Sequence, residues 1–125
     1  MDRLPIEQYD KIHIRDLVVR CIIGIEPLER KEKQDVIINI TLYTDIKKSA
    51  VTDNISDTVD YKKIKKRVLS FVENSSFYLL ETLAEEIAKI CLDDNCVKGA
   101  SVVVDKPGAL RFARSVAVEI TRVKT

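Results

Sequence analysis

The segment DVIINITLYT, residues 35–44, decides the fold class that the sequence predicts. Apolar and polar side chains alternate along it, which is typical of a β-strand with one face on a hydrophobic core. The core face would carry Val36, Ile38, Ile40 and Leu42. The opposite face would carry Asn39, Thr41 and Tyr43. The segment therefore predicts an amphipathic sheet.

Other segments of the chain also have strand patterns. Residues 11–23 precede the quoted strand and begin with alternating apolar and polar positions. Near the C-terminus, residues 101–105 contain successive valines, and residues 114–123 alternate cleanly between apolar and other side chains. A charged loop, residues 24–33, separates the first two strands, and the turn-prone residues 106–108 separate the last two. Each pair is predicted to form a hairpin-like unit.

Two helices are predicted between these strand pairs. The first begins after Asp60, a suitable N-cap, and has apolar side chains at helical spacing. These side chains are Tyr61, Ile64, Val68, Phe71 and Val72. The apolar arc of the second helix consists of Leu80, Leu83, Ala84, Ile87, Ala88 and Cys91. Residues 45–60 are predicted to be irregular, and residues 1–10 to form a loose arm.

The predicted element order is β-β-α-α-β-β in one domain spanning residues 1–125. This order indicates an α+β fold, and the simplest packing is a four-stranded antiparallel sheet with two helices on one face. The other face would meet water or another subunit. Ile37 and Val103 fall on that open face, and an apolar open face favours assembly.

Composition excludes several functional classes. With 46% hydrophobic and 33% charged residues, the chain is typical of a globular domain. The net charge of +1 disfavours nucleic-acid binding, so we interpret the lysine-rich residues 62–67 as a solvated helix face. No segment has the pattern of a membrane span or a signal peptide. The cysteines have no framework spacing, so we expect reduced thiols and a cytoplasmic protein.

No metal or nucleotide cofactor is expected. His13 is the only histidine, and no second ligand pair accompanies Cys91 and Cys96, which disfavours a zinc site. The glycines at positions 24, 99 and 108 cannot form a phosphate loop or a dinucleotide-binding motif.

Two residues suggest chemistry on their own. Glu81 borders the apolar arc of the second helix, and a carboxylate facing a partly dry pocket there can accept two parallel N–H donors from a heterocycle. A plain surface glutamate is the alternative. Lys106 follows a valine-rich strand and precedes a Pro-Gly turn, where a lysine of lowered pKa can serve as a general acid.

Four motifs in order resemble the dihydroneopterin aldolase family. The resemblance extends from Lys11 to Arg122. The motifs are Ile23-Gly24-Ile25 through Glu29 with Gln34-Asp35-Val36, then Asp57-Thr58-Val59-Asp60-Tyr61, then Leu79-Leu80-Glu81-Thr82-Leu83-Ala84-Glu85, and finally Val104-Asp105-Lys106-Pro107. The resemblance implies the tunnelling fold, in which subunits assemble into a barrel, as a tetramer or octamer, with active sites between subunits.

The resemblance also implies a pterin-binding site. Glu81 would hold the amino-pyrimidine edge of the pterin, helped by the backbone of Leu80. Val59 would line the pocket. A small-molecule pterin is therefore the expected ligand, with no nucleic-acid or membrane partner.

The catalytic roles that the resemblance implies fall on three residues. Tyr61 would act on the ring or side-chain hydroxyls, Glu29 would bind substrate near the reacting chain, and Lys106 would donate and accept the proton through water. The reaction would be a retro-aldol cleavage in which the protonated pterin is the electron sink, so no metal or Schiff base is required. Re-addition of the same fragment would invert C2′.

Two departures from the aldolase pattern look more like the dihydroneopterin triphosphate 2′-epimerase branch. Residues 21–23 replace an aromatic- and His-bearing stretch, and the loop after Lys106 is short and carries Arg111 and Arg114. These arginines would suit a triphosphate tail. The alternatives are a 7,8-dihydroneopterin aldolase giving 6-hydroxymethyl-7,8-dihydropterin and glycolaldehyde, and a non-catalytic assembly module.

Overall fold

The computed structural model describes residues 4–125. Its elements are β1 (Asp10–Cys21), β2 (Gln34–Thr44), α1 (Lys47–Thr52), α2 (Tyr61–Glu73), α3 (Leu80–Leu92), β3 (Gly99–Pro107) and β4 (Ser115–Val123). Short 3-10 turns lie at Ile6–Gln8 and Ile55–Asp57. The predicted α+β fold is confirmed, with the two main helices between two strand pairs.

The strands form one antiparallel sheet in the order β1-β2-β3-β4. In the middle of the sheet, Ile40 pairs with Ile14 on one side and with Val102 on the other. A bulge interrupts β1 between Ile14 and Leu17, where Asp16 has a φ of 55°. The backbone N–H of Asp16 donates to the Asn39 side chain at 2.9 Å, which satisfies a donor that the bulge removes from the ladder.

Helices α2 and α3 pack on one face of the sheet, with α2 against β1 and α3 against β3 and β4. The core face of β2 is at most 2% exposed from Val36 to Thr44, as the alternation of residues 35–44 predicts. Asp60 caps α2 by accepting from the Lys63 N–H at 3.3 Å, which confirms the predicted cap. Ile37 and Val103 lie on the opposite face of the sheet and are half-buried.

Local structure differs from the sequence prediction at residues 45–60 and at residues 106–107. Residues 45–60 are not irregular throughout, because they contain α1 and a 3-10 turn. No residue of α1 is buried, so this helix lacks the apolar period that would predict it, and Asp53 ends it at a φ of 56°. Lys106 and Pro107 belong to β3, and the turn begins instead at Gly108, with a φ of 71°.

The N-terminal segment was expected to be a loose arm over residues 1–10. Residues 1–3 lie outside the described residues. Ile6 begins a 3-10 turn, and Asp10 begins β1. The Ile6 side chain packs against Gly99, where an added Cβ would lie 2.5 Å from it. Within residues 4–125, no helix has both the length and the apolar character needed to cross a membrane.

Candidate active site

Lys106 lies near the end of β3 on the core face of the sheet and is only 7% exposed. The strand period explains this position, because Val102 and Val104 precede Lys106 on the same buried face. Its ammonium donates to the Glu29 carboxylate and, at 3.4 Å, to the Ile23 carbonyl oxygen. The amino group at this buried end of the strand therefore has two oxygen partners.

Glu29 comes to Lys106 from the loop between β1 and β2. Its carboxylate also accepts from the Glu26 N–H at 3.1 Å and from the Gln34 side-chain amide at 3.4 Å. The hydrogen bond from Lys106 is the main cause that lowers the pKa of Glu29 below its ordinary value, although burial opposes it. Glu29 is thus held as a carboxylate, oriented by donors from three directions.

Gly24 makes room for this carboxylate. A Cβ at this position would overlap the Glu29 carboxylate, and the backbone has a φ of 122°. The φ favours glycine because L side chains rarely adopt it, and an added Cβ would also force the Glu29 carboxylate to move. Glycine at position 24 therefore lets Glu29 keep its place against Lys106.

The Glu29–Lys106 pair has the groups needed for proton transfer. The carboxylate can accept a proton from a hydroxyl, and the ammonium can donate one to a ring nitrogen or to a bound water. Because Glu29 keeps 24% of its side chain exposed while Lys106 keeps 8%, the pair can be reached from the Glu29 side.

In residues 4–125, the other predicted site residues make no hydrogen bond or ion pair with Glu29 or Lys106. Tyr61, 49% exposed, and Glu81, also exposed, stand in the first turns of α2 and α3. Val59 is fully buried in the core, and Leu80 is half-buried. Glu81 does not face a dry pocket within one chain, although neighbouring Ala84 is fully buried.

The loop between β3 and β4 carries the two arginines in an exposed position. Gly108 donates its N–H to the Arg114 carbonyl oxygen at 3.2 Å and closes the loop. Phe112 is fully exposed with a φ of 65°, and the Arg111 guanidinium lies 5.5 Å from its ring. In residues 4–125, neither arginine makes a hydrogen bond or an ion pair with Lys106 or Glu29.

A family model identifies the family to which this fold belongs. The model for FolB, dihydroneopterin aldolase, matches residues 12–121. The chain belongs to this enzyme family. The match includes most of every strand of the sheet and both Glu29 and Lys106.

Relatives of this dihydroneopterin aldolase family member carry several names. The folic acid synthesis protein FOL1 of Dictyostelium discoideum is 42% identical over 90% of this chain, which spans only 17% of FOL1. A dihydroneopterin triphosphate 2′-epimerase of Pseudomonas aeruginosa is 37% identical, covering 88% of this chain and 89% of its own. A dihydroneopterin aldolase of Streptomyces coelicolor is 36% identical, and the alignment covers 80% of this chain and 84% of the relative.

Solved structures of family members share the fold. A dihydroneopterin aldolase described as putative, from Vibrio cholerae, superposes with a TM-score of 0.90 at 30% identity, covering 94% of this chain and 99% of its own. The Escherichia coli dihydroneopterin aldolase in complex with neopterin superposes with a TM-score of 0.86 at 33% identity, covering 90% and 98%.

Sequence reasoning assigned no role to Gln34 or Arg30, which both support the Glu29 loop. Gln34 donates to Glu29 and, at 3.1 Å, to the Ile23 carbonyl oxygen that Lys106 also contacts. Arg30 donates to carbonyl oxygens of two loops. No sequence signal distinguishes Arg30 from the neighbouring basic residues, because its partners lie 46 and 47 positions away as well as nearby.

Proposed function

We propose that this chain acts on the side chain of 7,8-dihydroneopterin or of its triphosphate by retro-aldol chemistry. The observation that carries the proposal is the buried Lys106 ammonium bound to the Glu29 carboxylate at the end of β3. This pair supplies a proton acceptor and a proton donor within one site, which is what a carbon–carbon cleavage next to a pterin ring requires.

The proposed first step balances within the substrate and the pair. Glu29 takes the proton of the C2′ hydroxyl, the C1′–C2′ bond breaks, and its electron pair moves into the C6–N5 system of the pterin. Lys106, directly or through water, protonates N5. The products of this step are an enol of the pterin and an aldehyde fragment.

Two exits from this intermediate give the two activities named among the relatives. Protonation of C1′ gives 6-hydroxymethyl-7,8-dihydropterin and, from the unphosphorylated substrate, glycolaldehyde. Rotation of the aldehyde and re-addition to C1′ through its other face gives the C2′ epimer. In the first exit the proton held by Glu29 goes to C1′, and in the second it goes to the C2′ oxygen. In both exits N5 returns its proton to Lys106, so Glu29 ends as a carboxylate and Lys106 as an ammonium.

Recognition of the pterin would require more than one chain. Glu81 and Tyr61 are exposed at the first turns of their helices in the single chain. Assembly into a tetramer or octamer would cover these side chains and exclude water from the pterin edge. The half-buried Ile37 and Val103 on the open sheet face support such an assembly.

The finer proposal is a preference for the triphosphate and for epimerisation. Arg111 and Arg114 support it, because both guanidinium groups are exposed on the loop that follows Lys106 and can bind phosphate. The relative of Pseudomonas aeruginosa, named as an epimerase, also supports it. The aldolase activity is the second candidate, supported by the relative of Streptomyces coelicolor.

The test is incubation of the purified chain with dihydroneopterin and with its triphosphate under anaerobic conditions. Chiral separation of the pterin products measures epimerisation, and trapping of the released aldehyde measures cleavage. We expect turnover of the triphosphate to its C2′ epimer to exceed cleavage. Absence of both reactions at assembled-protein concentrations would favour the non-catalytic assembly module.

A further inference from the structure

Arg30 lies next to Glu29 and contacts a second, distant loop. Its Nη1 donates to the carbonyl oxygens of Gly24 at 3.1 Å and Phe77 at 2.9 Å, and its Nη2 donates to Ser76 at 2.5 Å. Its Cζ also lies 4.0 Å from the centroid of the Tyr78 ring. One guanidinium therefore contacts both the loop after β1 and the residues directly before α3.

The two loops connected by Arg30 also meet through backbone. The N–H of Gly24 donates to the Phe77 carbonyl oxygen at 3.3 Å, so this oxygen accepts from both Gly24 and Arg30. Residues 76–78 stand just before Leu80, the first residue of α3. A displacement of this loop would therefore move the start of α3.

We propose that Arg30 is a positioning residue that fastens the Glu29 loop to the loop before α3, and so sets the Glu29–Lys106 pair in register with the first turn of α3. The inference rests on the proposed function, because Glu81 in that first turn is the residue proposed to hold the pterin. In residues 4–125, the hydrogen bonds that Arg30 donates go to backbone carbonyl oxygens and not to Glu29 or Lys106.

The shape of the side chain matters for this role. A guanidinium offers several donors in a plane and can stack on an aromatic ring with the same plane. A lysine ammonium is a point charge on a flexible stem and cannot reproduce three carbonyl contacts together with the stacking. We therefore expect Arg30→Lys to lose this positioning role, although the substitution keeps the positive charge.

The first measurement needs no substrate. Hydrogen exchange of wild type, Arg30→Lys and Arg30→Ala should show faster exchange in both residues 24–29 and residues 76–80. Arg20→Ala is the matched control, since Arg20 donates to the Lys33 carbonyl oxygen at 2.9 Å and pairs with Asp35, all within the β1–β2 hairpin. The exchange effect of Arg20→Ala should not reach residues 76–80. Faster exchange in only one loop of the Arg30 variants would overturn the inference.

The second measurement is turnover. We expect Arg30→Ala and Arg30→Lys to lose about 100-fold in kcat/KM, the order of loss that a displacement of about 1 Å causes. Millimolar guanidinium should restore part of the Arg30→Ala activity and none of the activity of a Lys106→Ala variant. Variants within twofold of an active wild type would overturn the inference. An inactive wild type would refute the proposed function instead, and hydrogen exchange would still decide the role of Arg30.

Discussion

Glu29 and Lys106 form a salt bridge across 77 positions of sequence, between a loop and the buried end of a strand. The two partners are unequal, because Lys106 keeps 8% of its side chain exposed and Glu29 keeps 24%. The carboxylate is therefore the partner that a ligand meets first. A hydroxyl of the ligand can approach Glu29 while Lys106 stays behind it.

Removal of the lysine tests its proposed role as the proton donor. Lys106→Ala should fold, because Glu29 is partly exposed and can be hydrated when its partner is lost. Turnover should fall by about 10²–10⁴-fold, the usual contribution of a general acid or base. Steady-state kinetics on the assembled protein measure it, with Lys98→Ala as a control, since Lys98 is exposed just before β3. A mutant within a few-fold of wild type would exclude Lys106 as the proton carrier.

The pH dependence of stability follows from the lowered pKa of Glu29, which the hydrogen bond from Lys106 causes. A carboxyl group with a lower pKa in the folded state stabilises the protein above its unfolded pKa, and this contribution is lost as the pH falls through the folded value. Wild type should therefore exceed Glu29→Gln in Tm near neutral pH. The difference should shrink below about pH 4. A difference in Tm that stays constant across this range would contradict the assignment.

Position 24 should tolerate no side chain. Gly24→Ala would place a Cβ in the Glu29 carboxylate at a φ of 122°, so it should destabilise the chain by about 1–3 kcal/mol and abolish most turnover. Gly108→Ala is the matched control, because Gly108 also has a positive φ but no heavy atom near its Cβ position. Gly108→Ala should lower the stability of the chain through backbone strain alone. Equal losses of turnover in both variants would show that the Glu29 contact is unimportant.

The sequence predicts those elements of the fold that have a periodic apolar face or a local capping signal. The alternation of β2 and the cap at Asp60 are local signals, and the structure confirms both. Helix α1 was missed because it buries no side chain and is held by local contacts, including Lys48 with Asp57 at 3.2 Å. A helix without an apolar face leaves no period to detect.

The catalytic pair was predictable from two different signals. Lys106 stood out by its place at the end of a valine-rich strand as well as by the resemblance, Glu29 came from the resemblance alone, and the structure brings them together. Arg30 was missed because it acts on backbone carbonyl oxygens, which every residue possesses, so no pattern of side chains marks its partners. The exposure of Glu81 in one chain could not be read from a helical wheel, because the wheel shows only the angle to the core and not what covers the helix start.

Glu81 should act mainly in binding. Glu81→Gln keeps the shape of the side chain but loses the charge that strengthens paired hydrogen bonds from a pterin edge, a loss on the order of 1.5–3 kcal/mol. That loss corresponds to about ten- to hundredfold in Kd for neopterin by calorimetry. Glu86→Gln is a control on the same helix, since Glu86 pairs with Lys89 at 2.7 Å. Unchanged affinity of Glu81→Gln would remove Glu81 from the binding site.

The two arginines of the β3–β4 loop decide the proposed substrate preference. Arg111 and Arg114 are exposed, so their replacement by alanine should leave the fold intact. If they bind the triphosphate, the double variant should raise the KM for dihydroneopterin triphosphate and leave that for dihydroneopterin nearly unchanged. The wild-type preference should also fade with rising salt, because exposed charges are screened. Lys62→Ala with Lys65→Ala is the matched control, which removes two exposed charges from α2. Equal effects on both substrates, or a wild type that only cleaves dihydroneopterin to glycolaldehyde, would place the chain among the aldolases, with the arginines serving solubility or subunit contacts.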